Sequence, residues 1–157
     1  ELPGKLKDFR ASVVSSTNII YAISTDGLVW SFDPRTNRLE DLGHVLGMPQ
    51  QGHYTPNIAL DEEWGRLYFM AGNHGGKVLE SALEIITVLD LKSHKFHWLG
   101  QAEGVEGCFG SLVSKDHTVY FSCFGTLFKD DQLVKDESGV PVTRPYLVKY
   151  DPPKDLD

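Results

Sequence analysis

Residues 19–43, IIYAISTDGLVWSFDPRTNRLEDLG, decide the fold. The stretch opens on a short apolar run around Tyr21, crosses a polar spacer and resumes in a second apolar run that ends at Asp33. DPRTN follows as a turn, with Asp leading and Pro setting φ at the next position. RLEDLG closes the stretch. The same order returns as RLYFMAGNHGG (66–76) with EIITVLDLKSHKFHWLG (84–100), and again as TVYFSCFG (118–125) with RPYLVKYDPPKDLD (144–157). Tyr21, Tyr68 and Tyr120 recur at steps of 47 and 52 residues, and Asp33 stands as far from Gly43 as Asp90 does from Gly100.

LVWSF, ITVL and YLVKY are short and rich in β-branched and aromatic residues, which marks them as strands. Their apolar residues are consecutive, so both faces should be covered. ASVV, NIAL and GSLV supply a further strand before each Tyr, joined by the turns SSTN, DEEWG and SKDH. Each unit therefore reads as four antiparallel strands, A to D. Four-stranded units at this period, apolar on both faces, indicate blades of a β-propeller. The expected class is all-β, with blade 1 at about 9–45, blade 2 at about 53–101 and blade 3 at about 107–157 of one domain, 1–157. KVLESALEII (77–86) spaces its apolar residues as a helix does, but register requires strand C from Ile85 to Leu89; any helix there is a short insertion.

The DPxT…LG pattern resembles kelch-like and gluconolactonase-like propeller repeats. The resemblance implies the blade architecture alone, because the kelch double glycine and the Trp-Asp signature are out of register. No family's catalytic residues are carried over.

Three blades do not close a ring, and open blade faces make large apolar patches. Further blades, from the same or another chain, are the expected partners. ELPGKLKDFR has neither Met nor a signal-like stretch and reads as the start of an excised piece, with ELPGKLKDF a possible displaced strand D. A net charge of −7, from 15 Lys and Arg against 22 Asp and Glu, argues against nucleic acid. No apolar run reaches membrane-spanning length. The expected setting leans to secreted or periplasmic.

In an up-and-down sheet the A–B and C–D turns share one end, and the B–C and D–A connections the other. Nearly all insertions fall in the second set, including GHVLGMPQQGHYTP, GNHGGKVLESALE and GQAEGVEGCFG. Function usually sits on such loops. His53, Tyr54 and His74 are the candidate catalytic residues there, with Asn73, Glu103 and Glu106 as candidate ligand-binding groups. His53 and His74 can ligate one divalent metal ion, or act as acid and base on a sugar-like substrate with Tyr54 as proton donor. Turn chemistry accounts for Asn73 and its glycines equally well. The expected function is a small-molecule or carbohydrate site, in a metal-assisted lyase or hydrolase; the alternative is a non-catalytic protein-docking propeller.

His94, His97 and His117 fall at the plain end or rim and read as surface residues. His44 starts a long loop and is ambiguous. If SKDH is a four-residue hairpin loop, Val113 pairs with Thr118 and Cys108 faces Cys123, as two buried thiols or a cross-strand bridge.

Overall fold

The computed structural model describes residues 9–47, 53–73, 84–102, 104–130 and 132–156, with Phe9, His53, Tyr54 and Asn73 described by their backbone alone. The fold is all-β: every regular element among the described residues is a strand. No helix there is long and apolar enough to cross a membrane.

The first sheet is the antiparallel meander β1 (Phe9–Val14), β2 (Ile20–Ser24), β3 (Leu28–Asp33) and β4 (Arg38–His44). In the second, β5 (His53–Tyr54) and β6 (Ala59–Asp61) both pair with β7 (Arg66–Asn73), which continues to β8 (Glu84–Asp90) and β9 (Lys95–Ala102). The third begins with β10 (Val105–Val113) and β11 (Val119–Thr126). A small ribbon, β12 (Phe128–Lys129) and β13 (Gln132–Leu133), precedes its last strand, β14 (Thr143–Tyr150). The required strand at Ile85–Leu89 is therefore present as part of β8. The candidate helix upstream of it and the candidate N-terminal strand lie largely outside the described residues.

Local chemistry explains why the three sheets turn alike. Asn18, Gly65 and His117 all have φ near 65° (65°, 64° and 65°), each three residues before its Tyr. Asn and Gly suit that left-handed conformation, whereas His adopts it less readily. Asn37 and His94 repeat it at φ 54° and 56°, each four residues after the Asp that ends strand C. Those aspartates cap their turns: Asp33 Oδ1 accepts the Arg35 N–H at 2.9 Å, and Asp90 Oδ1 accepts the N–H groups of Lys92 and Ser93 at 3.0 and 2.7 Å. The Leu-Gly signature is a β-bulge. Leu42 stands unpaired between Asp41↔Trp30 and Gly43↔Val29, and Leu99 between Trp98↔Thr87 and Gly100↔Ile86. Bulges twist an edge strand away from further pairing, which is what the last strand of a sheet needs.

The middle sheet is covered on both faces. Leu67, Phe69, Ala71 and Leu89 pack with Ile23, Val29 and Leu42 of the first sheet. Tyr68, Met70, Ile86 and Val88, on the alternate positions, pack with Val119, Phe121 and Cys123 of the third. Tyr68, Phe69 and Phe121 are fully buried, and burying each aromatic contributes roughly 1.5–3 kcal/mol. Past β14 the chain crosses to the middle sheet. Arg66 donates to the carbonyls of Pro153 (2.8 Å) and Lys154 there, and Leu156 packs against the second core.

Two expectations need correction. The hairpin loop between β10 and β11 is one residue longer than SKDH: Val113 pairs with Val119, not Thr118. A bulge at Phe109 restores the offset, so Cys108 still opposes Cys123. GQAEGVEGCFG is no long loop, because β9 runs to Ala102 and β10 starts at Val105. After the β12–β13 ribbon the chain makes a turn in which Asp136 accepts the Ser138 and Val140 N–H groups, both at 2.9 Å.

Candidate functional site

The candidate site lies where β7 ends. His53 pairs with Asn73 and Tyr54 with Gly72, so three of the expected residues share two adjacent rungs of one ladder. The strand that carries His53 and Tyr54 then leaves the ladder and rejoins it at Ala59. Pro56 has no N–H to offer across this gap. Asn57 fills it from its side chain, donating Nδ2–H to the Met70 carbonyl at 2.9 Å and accepting the Met70 N–H on Oδ1 at 2.7 Å.

Beside these rungs sits a carboxyl that the sequence did not flag. Glu84, the first residue of β8, is 2% exposed. Its carboxyl lies over Gly72: a Cβ at that position falls 2.3 Å from Glu84 Oε1, so only glycine leaves room. Burial disfavours the ionised form and pushes Glu84 up to about 8. At neutral pH it is mostly a neutral acid, able to donate a proton or a hydrogen bond.

Other candidates fall elsewhere. Glu106 is half-buried in β10, unpaired in the bulge between Val105↔Gly125 and Gly107↔Phe124, and is not on a rim loop. Glu103 and His74 lie outside the described residues, so the proposed pair of metal ligands, His53 and His74, has one member there. Among the described residues no three of His, Cys, Asp and Glu gather as a metal site. His44 is buried and structural: Nε2 meets the Asp26 carbonyl and Nδ1 accepts the Leu46 N–H at 3.2 Å.

His117 is not the plain surface residue expected. Its side chain is 20% exposed, and Nδ1 bonds Asp61 Oδ2 at 2.7 Å. Trp64 stacks on its ring at 4.0 Å, with Arg66 beneath the indole. Glu62, from the same DEEWG turn, accepts the Ser16 N–H of the first sheet at 2.5 Å. One turn thus clasps both neighbouring sheets. Nothing in the local string around His117 points to Asp61, because the partner is 56 residues away.

Two open clefts flank Tyr21 at this opposite, short-turn end. One of about 310 Å³ is lined by Ser15, Thr17, Leu60 and Glu62 among others, and one of about 220 Å³ by Ser31, Asp33, Arg38 and Glu40 among others. Burial, then the charges of Glu62 and Glu40, raises the Tyr21 hydroxyl pKa. Neither cleft includes an expected site residue.

Comparison with known proteins adds little to this geometry. No family model matches the chain, and no curated protein matches it. Among solved structures, the chain is similar to a crystal structure of the extracellular domain of what is described as a one-component system from B. thetaiotaomicron. The TM-score is 0.33 at 9% identity, over 72% of this chain and 20% of the other. The chain thus spans about a fifth of the length of that structure.

Proposed function

We propose that the chain is a three-blade portion of a β-propeller with a binding site for a small polar molecule or carbohydrate at its long-loop end. The blade reading is supported by the way the faces succeed one another. The Tyr21 face of the first sheet packs on the Leu67 and Phe69 face of the second, and the Tyr68 face of the second packs on the Phe121 face of the third. By the same rule the Tyr120 face of the third sheet receives a further blade. Leu112 and Leu147, on that face, are 57% and 70% exposed.

One observation carries the site: the buried Glu84 carboxyl closing over Gly72, next to the His53–Asn73 rung. A carboxylic acid kept neutral by burial is suited to protonate a leaving oxygen or to hold a hydroxyl. His53 and Tyr54 stand on the adjoining rungs as the accompanying base and donor. His53 with His74 forms the divalent-metal arm of the proposal, and a lyase or hydrolase is the reaction class.

The test is a binding and turnover screen against neutral and acidic sugars and lactones, with elemental analysis of the purified protein. A hit that Glu84→Gln or His53→Ala abolishes, in a variant of unchanged circular dichroism, supports the reading. Hits untouched by both substitutions overturn it. The docking alternative has its own observation: the β12–β13 ribbon and the turn after it present Phe128, Leu133 and Val140 at 49%, 40% and 55% exposure. Retention of a protein partner that Phe128→Ser releases, with no small-molecule hit, favours that alternative.

A further inference from the structure

Three sulfur-bearing side chains share the core between the second and third sheets. Cys108 and Cys123 oppose each other on β10 and β11, and the Cys108 thiol donates to the Gly110 carbonyl at 3.4 Å. Cys123 Sγ also lies 3.6 Å from Met70 Sδ, which reaches across from β7. The three residues are 2%, 4% and 0% exposed, inside a core that includes Ile86, Val105 and Phe121. Both cysteines are unbridged.

We infer that Cys108, Cys123 and Met70 form a trigonal three-sulfur site for one soft monovalent metal ion, Cu(I). Ligand chemistry selects the ion. Two thiols and a thioether are soft donors, which favour Cu(I), whereas magnesium, calcium and manganese require oxygen donors. Spacing agrees with it. A trigonal centre with metal–sulfur bonds of about 2.3 Å sets its sulfurs about 4 Å apart, close to the contact already present between Cys123 and Met70. The ladder fixes the first two ligands opposite each other, and Asn57 fixes the backbone of the third by holding both main-chain groups of Met70. Sulfur donors held rigidly in an apolar enclosure exclude water from the ion. Copper enters and remains as Cu(I). Each thiol that becomes a ligand thiolate gives its proton to solvent, and no electron moves.

The experiment is an anaerobic titration of the fully reduced chain with Cu(I), in competition with a chromophoric Cu(I) chelator, followed by X-ray absorption at the copper edge. One equivalent bound in a first shell of three sulfurs is expected. Met70→Leu conserves volume, so it tests the third ligand in a folded chain. It should weaken binding at least roughly tenfold, the loss that even outer-shell partners cause. Cys108→Ser with Cys123→Ser should abolish the equivalent. Equal uptake by wild type and the double variant, nitrogen or oxygen in the first shell, or an unchanged affinity in Met70→Leu overturns the site. Should the double variant fail to fold, the Met70→Leu affinity and the absorption spectrum decide.

Discussion

Asn57 holds both main-chain groups of Met70, at 2.9 and 2.7 Å, from a position 1% exposed. A side-chain amide here does what a backbone rung does elsewhere in the ladder. The arrangement lets the strand make a detour around Pro56 without leaving Met70 unpaired. Asn57→Ala strands a donor and an acceptor in the core, each costing about 1–3 kcal/mol. The expected loss is about 2–4 kcal/mol in urea-unfolding midpoint terms at constant slope, whereas Asn57→Asp retains one bond and loses less.

The Asp61–His117 bond ties the turns of the second and third sheets together. Asp61 does two jobs, since its Oδ1 also accepts the Trp64 N–H at 3.0 Å, and it is 4% exposed. His117 contributes the cross-sheet bond and the stacked face for Trp64. Asp61→Ala should therefore destabilise more than His117→Ala, about 2–3 against about 1 kcal/mol. Denaturation monitored by tryptophan fluorescence ranks the two. Equal losses mean that the turn cap contributes nothing.

The open face of the third sheet makes a different prediction. Leu147 is 70% exposed, and Phe109 stacks on Phe124 at 5.3 Å while remaining 54% exposed. A blade arriving there buries Leu147. Leu147→Glu should change the stability of the isolated chain by no more than about 0.5 kcal/mol, as surface substitutions do. It should nonetheless shift sedimentation towards the monomer and weaken binding of apolar dyes. A sedimentation profile indifferent to the substitution removes this face as a docking surface.

How much of this was legible in the sequence follows from the range of the interactions involved. Tyr21, Asp33 and Leu42–Gly43 act within their own unit through turn capping and bulge formation, so their recurrence revealed the strands and their order. The apolar run ITVL at 86–89 showed that both faces of the middle sheet are covered. Asn57, Glu84 and His117 act on Met70, Gly72 and Asp61 across strands or sheets, and nothing local distinguishes such an Asn, Glu or His from a surface one. The connection from Ala102 to Val105 was misjudged because Gly-rich sequence suits a bulged strand as well as a loop: Gly107 lies against the Phe124 ring, and a Cβ at Gly125 would meet the Gly104 carbonyl, backbone that cannot swing aside. His53, Tyr54 and Asn73 share two rungs, with Asn73 at the end of β7 rather than on the loop after it. The carboxyl beside them emerged only from the fold.

Glu84 gives the chain a pH dependence whose sign can be worked out. Its carboxyl sits near 8 in the folded state against an ordinary value of 4.5. Between these values the unfolded chain has released the proton and the folded chain still holds it. The unfolded state binds fewer protons, so stability falls as pH rises through this window and levels off above about 8. The total loss is of the order of a few kcal/mol. Glu84→Gln removes the ionisation and keeps the shape. Unfolding curves collected from pH 5 to 9 should show wild type losing stability across the window and the variant nearly flat, with the variant the more stable at pH 8. Gly72→Ala forces the carboxyl out towards water, because its Cβ overlaps Glu84 Oε1. That variant should lose the slope as well and be destabilised at pH 5, where wild type holds a neutral, unstrained acid. A slope that survives in Glu84→Gln belongs to another group and removes Glu84 as the neutral acid of the site.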